Sequence, residues 1–199
     1  MSLALPILRG PQRGLRWIVG SGSLRCWLGT YEHDKRLRFT ALVRDADVVF
    51  DVGAHAGYYT LLASVLVGDQ GAVVAFEPGP GNLRYLRRHV RMNHRRNVTI
   101  VEAAISDRSG TGRFLVDTLS LDDLWEGGQI GAPDVVNIDV EGREDRVLRG
   151  ARHMLRDAHP VVFLATHGAE ARQACLDLLA GLPYVVETFA GCELICRPI

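Results

Sequence analysis

The sequence has little of several features that would indicate a function directly. Its 199 residues carry 23 basic and 23 acidic side chains, and a net charge of zero gives no reason to expect nucleic acid as a partner. No apolar run reaches the roughly 18 residues that a membrane span needs, and residues 1–7 are too short for a secretory signal. We therefore expect a cytoplasmic protein without a membrane partner.

The residue types that often bind metals show no suitable spacing. Cys192 and Cys196 are close in sequence, but no second Cys or Cys/His pair accompanies them as it would in a zinc site. Free thiols are the simpler interpretation of these two and of Cys26 and Cys175. Most histidines, His89 among them, follow no strand and are expected at the surface or at helix ends.

Short apolar runs alternate with helical segments from residue 45 onward. The predicted strands are residues 48–52, 72–76, 98–105, 135–140, 161–165, 184–189 and 193–196, with a further short strand at 113–116. The predicted helices are residues 57–66, 81–90, 121–125, 147–155 and 169–180. Apolar strands of this kind are typical of a parallel sheet covered on both faces, and the last two strands predict an antiparallel hairpin. The fold class is therefore α/β, with a mostly parallel seven-stranded sheet.

Residues 1–44 precede this alternation and form an N-terminal extension in the prediction. Apolar segments at residues 15–19 and 24–28 flank a Gly/Ser stretch and predict a hairpin, which a helix over residues 33–43 follows. The extension either covers the ligand of residues 45–199 or serves as the arm of a homodimer, and the sequence favours neither.

The stretch from Asp51 to Thr60 indicates a ligand-binding turn between a strand and a helix. A dinucleotide turn needs Gly-x-Gly-x-x-Gly, but His55 and Tyr58 occupy the second and third glycine positions. A carboxylate at position 51 would repel a pyrophosphate and suits the sulfonium and ammonium of S-adenosylmethionine. Glu77 ends the second strand, where it suits the hydroxyls of a ribose.

Polar residues at later strand ends are candidates for chemistry. Asp139 and Glu141 lie two apart and are predicted to share a face, where they could receive the cofactor, position a hydroxyl or hold a metal. No three-ligand metal set is apparent, so no metal is predicted. His167 ends the fifth strand and, like Asp139, is a candidate general base. Ala103 and Ala104 would leave room for an adenine ring.

Several ordered motifs resemble the FkbM family of S-adenosylmethionine-dependent methyltransferases. They are residues 29–32 (GTYE), 50–60 (FDVGAHAGYYT), 75–78 (AFEP), 93–98, 120–124 (SLDDL) and 137–151, and they cover roughly residues 29–168. The resemblance implies a Rossmann-like class I fold and O-methylation of a hydroxyl on a small molecule, sugar, glycan or natural product. The predicted cofactor-binding residues are Tyr31, Glu32, Asp51, Gly53, Ala54, His55, Gly57, Tyr58, Tyr59, Thr60, Glu77, Pro78, Ala103, Ala104, Asp139 and Glu141.

Three positions depart from the family pattern and keep two alternatives open. His55 stands where the family usually has Asn, Asn137 where it has Lys, and Arg143 where it has a small residue. The first alternative is a non-catalytic relative that binds the cofactor or a partner. The second is a NAD(P)-binding oxidoreductase with a degenerate turn.

Overall fold

The computed structural model describes residues 3–111 and 117–199 of the chain. An N-terminal extension precedes a domain of alternating strands and helices. In chain order the elements are β1 (Ala4–Pro6), β2 (Arg16–Ile18), α1 (Leu24–Leu28), α2 (His33–Leu42), β3 (Val48–Val52), α3 (Tyr58–Leu66), β4 (Ala72–Phe76), α4 (Pro80–Met92), β5 (Val98–Val101), β6 (Ala104–Ile105), β7 (Gly110–Thr111), β8 (Asp117–Leu119), α5 (Leu121–Glu126), β9 (Val135–Ile138), α6 (Glu144–Arg149), α7 (Arg152–Ala158), β10 (Val161–Ala165), α8 (Ala169–Leu179), β11 (Tyr184–Phe189) and β12 (Glu193–Pro198).

A seven-stranded sheet in the order β11-β12-β10-β9-β3-β4-β5 forms the centre of the domain. β12 runs antiparallel to both of its neighbours, whereas the other pairs are parallel. The predicted fold class is thereby confirmed. The chain proceeds from β3 to β4 on one side, while β9 pairs with β3 on the other side. This junction is the topological switch point, where open α/β sheets bind their ligands.

The strands are apolar because both faces of the sheet are buried. Side chains alternate along a strand, so Val49 packs on the face with Phe39 and Leu62. Phe50 packs on the opposite face with Leu148 among other residues. Within the residues that the structure describes, no helix is both long and apolar enough to cross a membrane.

The predicted N-terminal hairpin is wrong. β2 pairs with β1 rather than with residues 24–28. Those residues form helix α1, because the Ser23 hydroxyl accepts a hydrogen bond from the Arg25 amide and so caps the helix. The predicted helix over residues 33–43 is confirmed as α2.

Two further predicted elements are each divided in the structure. The chain leaves the main sheet after β5, and β6 pairs with β8 in a small separate sheet, so residues 98–105 are not one strand. The helix predicted across residues 147–155 breaks at Gly150, whose backbone packs against the Ser106 carbonyl with no room for a Cβ. The strand predicted at residues 113–116 lies outside the described residues.

Candidate active site

The turn after β3 places backbone against two neighbouring strands. Gly53 has a φ of +87°, and a Cβ there would overlap the carbonyl oxygen of Asp139 at the end of β9. The amides of Gly53 and Ala54 both donate to the carbonyl of Phe76 at the end of β4. At Gly57, with a φ of +93°, the chain turns into α3, and a Cβ would meet Leu86. The turn is therefore bound to the strands on both sides of the switch point.

Asp51 lies buried on β3, directly before this turn. It is 1% exposed, and its carboxylate accepts hydrogen bonds from Thr60 Oγ1 at 2.5 Å and from Asn137 Nδ2 at 2.9 Å. Burial raises the pKa of Asp51 despite these two hydrogen bonds. The side-chain amide of Asn137 on β9 thus links this strand to Asp51 on β3. A direct contact between Asp51 and a cofactor stays a prediction.

The carboxylate of Glu77, directly after β4, is hydrogen-bonded to the backbone of the turn. Its Oε2 accepts from the His55 amide at 2.8 Å, and its Oε1 accepts from the Gly79 amide at 2.7 Å and from Asn82 Nδ2 at 3.2 Å. His55 has a φ of +50°, a region that Asn, Asp and His enter more readily than other residues. His55 therefore contributes through its backbone. Pro78 follows Glu77 and is partly buried.

The N-terminal extension contributes Tyr31, Glu32 and Lys35 to this end of the sheet. Lys35, the single lysine of the sequence, is 2% exposed. Its Nζ lies 3.7 Å from Glu32 Oε2 and 3.3 Å from Oε2 of Glu193 on β12. Burial raises the pKa of Asp139, with Lys35 opposing and Glu32 reinforcing this shift. The extension is therefore joined to β12 by the Lys35–Glu193 ion pair, and its charges also act on Asp139 after β9.

The tyrosines at the start of α3 are buried beneath the extension. The rings of Tyr31 and Tyr58 meet edge to face with centroids 5.3 Å apart, and Tyr58 and Tyr59 do so at 5.5 Å. Lys35 lies 5.0 Å from the centroid of the Tyr59 ring. Burial raises the pKa of Tyr58 to about 12, so its hydroxyl keeps its proton at neutral pH. These rings hold the extension on the turn.

Asp139, Glu141 and His167 come together at the ends of β9 and β10. Nε2 of His167 lies 3.6 Å from Asp139 Oδ1 and 3.7 Å from Glu141 Oε2. The expectation that an extended strand carries both carboxylates is wrong, because β9 ends at Ile138. A turn with a φ of +55° at Glu141 brings them together instead.

Glu144 is the partner of His167 that the sequence prediction missed. Its buried carboxylate accepts from His167 Nδ1 at 2.7 Å and from the Gly142 amide at 2.8 Å. Partial burial lowers the pKa of His167, but the Glu144 hydrogen bond and the charges of Asp139, Glu144 and Glu141 outweigh it. The pKa of His167 therefore lies above its ordinary value. An acidic residue two positions after a strand-end glycine was the available signal.

A groove of about 640 Å³ lies beside this cluster. Its lining includes Gly142, Asp145, His167, Gly168, Glu170 and Ala174. Small side chains give it width, and the carboxylates give it negative charge. It can admit a polar molecule next to His167.

Ala103 and Ala104 are not brought into the cluster. Ala103 is 2% exposed, and Ala104 pairs with Thr118 in the small sheet rather than in the sheet that carries Asp51 and Asp139. The neighbouring Glu102 forms an ion pair with Arg87 of α4. A contact with an adenine ring stays a prediction for both alanines.

His89 corrects the prediction of a surface or capping residue. It is fully buried on α4, where its Nδ1 lies 2.7 Å from the Ala56 carbonyl in the Gly53 turn. The signal was its place three residues after Leu86, on the apolar face of that helix.

Comparison with known proteins agrees with this fold. A family profile described as the Methyltransferase FkbM domain matches residues 100–187. The chain is 28% identical to the curated "Hexuronic acid methyltransferase AglP" of Haloferax volcanii, over 63% of this chain and 59% of that relative. The chain thus spans less than two thirds of the relative's length.

Solved structures show the same fold. "Methyltransferase FkbM" from Methylobacillus flagellatus KT has a TM-score of 0.64 and 20% identity, covering 80% of this chain and 48% of that chain. Aeropyrum pernix fibrillarin, solved with natively bound S-adenosyl-L-methionine, has a TM-score of 0.55 and 17% identity, covering 79% and 68%. The Rossmann-like methyltransferase fold is confirmed.

Proposed function

From the similarity of the chain to FkbM methyltransferases, we propose that it is an S-adenosylmethionine-dependent O-methyltransferase. The acceptor is a hydroxyl of a small molecule, sugar, glycan or natural product, and the second product is S-adenosylhomocysteine. One observation carries the proposal. The Gly53 turn contacts the strand end that bears Asp139, so a ligand held by the turn lies beside titratable side chains.

The charges around the turn fit a cationic cofactor. Among the described residues near the turn, the cationic side chains of Lys35, Arg36 and His167 are outnumbered by the carboxylates of Glu32, Asp51, Asp139, Glu141, Glu144 and Glu193. When bound, S-adenosylmethionine supplies a methyl group activated by its positive sulfonium. The excess of negative charge supports binding of this sulfonium and of the cofactor's ammonium.

The turn and the extension share the binding of this cofactor in our proposal. Glu77 Oε2 accepts one hydrogen bond within the protein and keeps a lone pair for a ribose hydroxyl. Tyr31 and Glu32 reach the same end of the sheet from the extension. The remaining turn residues, from Gly53 to Thr60, hold the cofactor through their backbone and shape.

The protein's part in the reaction is alignment and proton removal. A hydroxyl held in line with the transferred methyl gains on the order of 7–11 kcal/mol from positioning. A positioned base adds about 10²- to 10⁴-fold in rate. His167 and Asp139 are the proposed proton acceptors, since both belong to the cluster beside the groove. Glu144 orients His167 through the hydrogen bond to Nδ1.

The groove supports a neutral, sugar-like acceptor. The curated relative is named for a hexuronic acid, which makes a sugar the favoured class. Asp145 and Glu170 line the groove and would repel an acceptor that carries its own carboxylate. We therefore propose that this chain methylates a neutral sugar more readily than an acidic one.

Calorimetry with S-adenosylhomocysteine tests the proposal. We expect one binding site per chain, and no binding by the intact protein would contradict the proposal. Methyl transfer from S-adenosylmethionine to a panel of neutral and acidic sugars then tests turnover. Binding without transfer to any acceptor supports the non-catalytic alternative. Binding of NADH in place of S-adenosylhomocysteine supports the oxidoreductase.

A further inference from the structure

The Asp139–Glu141–His167 cluster has the spacing of a ligand set around one ion. Its three ligand atoms lie within 4.8 Å of one another. The two His167 distances, 3.6 and 3.7 Å, are too long for hydrogen bonds. Two atoms that each lie about 2.1 Å from one ion are about 3.0–4.2 Å apart, depending on the angle between them. The two His167 separations fall in that range.

Glu144 provides an independent reason to assign ligand character to His167. A carboxylate cannot donate, so His167 Nδ1 carries the proton of the 2.7 Å hydrogen bond to Glu144. Nε2 is then left with its lone pair towards Asp139 and Glu141. Metal-ligating histidines are characteristically oriented in this way by a carboxylate on their other ring nitrogen. Glu144 is itself held by the Gly142 amide and is 0% exposed.

The excess of negative charge in the cluster also favours binding of a cation. Asp139, Glu141 and Glu144 surround a single imidazole, and the nearby Lys35 is already paired with Glu32 and Glu193. The side chain of Glu141 is 86% exposed, so an ion can reach the cluster from solvent.

We propose that Asp139, Glu141 and His167 bind one divalent cation through two carboxylates and one imidazole. Such a mixed oxygen and nitrogen set suits a transition-metal ion such as Mn²⁺ and leaves other coordination positions open. The chemical role of the ion rests on the proposed function: a hydroxyl bound in an open position becomes more acidic. In the loaded protein both His167 and Asp139 are ligands, so the proton-acceptor role proposed for them above applies to the ion-free protein.

Titration with Mn²⁺ alone tests the site, with the loss of the free Mn²⁺ signal in electron paramagnetic resonance as the readout. We expect one ion per chain. Glu141→Gln, which changes an exposed side chain, and His167→Ala should each weaken binding at least about 10-fold, and Glu144→Gln about 10- to 100-fold. Glu126→Gln, which removes an exposed carboxylate outside both the cluster and the groove, is the matched control and should bind as the wild type does.

No Mn²⁺ binding at millimolar concentration would overturn the proposal, as would equal binding by the wild type, Glu141→Gln and His167→Ala. Thermal unfolding of each variant shows whether it is folded. Because Mn²⁺ is the only ligand in this titration, its outcome is independent of S-adenosylhomocysteine binding. Cofactor binding without Mn²⁺ binding overturns the metal site alone, and the reverse result overturns the proposed function alone.

Discussion

The imidazole of His89 stacks on the indole of Trp17, with centroids 4.1 Å apart and planes 13° from parallel. Its Nε2 accepts a hydrogen bond from the Ile18 amide at 2.9 Å, and its Nδ1 donates to the Ala56 carbonyl at 2.7 Å. One neutral side chain therefore joins β2, α4 and the Gly53 turn. The extension and the turn are parts of one packed unit.

Acidification is expected to loosen this junction. Burial lowers the pKa of His89 from 6.5 to about 4, and a proton on Nε2 would face the Ile18 amide. The unfolded chain takes up this proton below about pH 6.5, whereas the folded chain does not, so stability falls as the pH drops from about 6.5 to about 4. The loss amounts to about 3 kcal/mol. Urea unfolding at a series of pH values measures it, and His89→Gln should remove this part of the slope.

Glu77→Gln is expected to weaken binding of S-adenosylhomocysteine at least about 10-fold. An amide replaces one carboxylate oxygen, so either His55 or the Gly79–Asn82 side loses its acceptor and the turn loosens. Calorimetry gives the affinity. Glu126→Gln, whose exposed carboxylate contacts His153, is the control. Equal affinities of the two variants would contradict the role of Glu77.

Lys35→Met is expected to cost about 3–5 kcal/mol of unfolding free energy, because the buried charge of Glu193 and the partly buried charge of Glu32 would lose their partner. Arg38→Met, which removes an ion pair with Glu187 that is 40% exposed on both sides, should cost no more than about 1 kcal/mol. Urea unfolding compares the two. Adding Glu193→Gln to Lys35→Met should restore part of the loss.

Gly53→Ala is expected to destabilise the protein by at least about 2 kcal/mol. The new Cβ would strain a φ of +87° and overlap the Asp139 carbonyl. Gly81→Ala is the matched control, since it adds a methyl in open space within α4 and should stabilise by about 0.5–1 kcal/mol. Thermal unfolding distinguishes the two, and equal midpoints would contradict the role given to Gly53.

The buried parts of the fold could be predicted from the sequence. The strands at residues 48–52, 72–76, 161–165 and 184–189 have the predicted bounds, because an apolar run between turn residues has few other solutions. The prediction of the N-terminal hairpin was wrong because the spacing of apolar residues alone could not show that β1 pairs with β2 or that Ser23 caps a helix. Long-range pairing decides such short segments.

The sequence could predict only those site residues that lie at the end of a strand. The sequence places Asp139 and His167 on neighbouring strands, and the structure brings them together. It could not indicate that Glu144 orients His167, because that contact depends on the turn after β9 and on the start of α6. The ligand set becomes visible only with that turn.

At Gly53, an added Cβ would meet the backbone carbonyl of Asp139 and not its side chain, so the position of the Gly53 turn does not depend on which side chain stands at residue 139. Under the proposed function, placement of the cofactor and the chemistry next to it are therefore separable. Exchange of the side chains at residues 139, 141 and 167 would then change or abolish the proposed reaction while the Gly53 turn keeps its place.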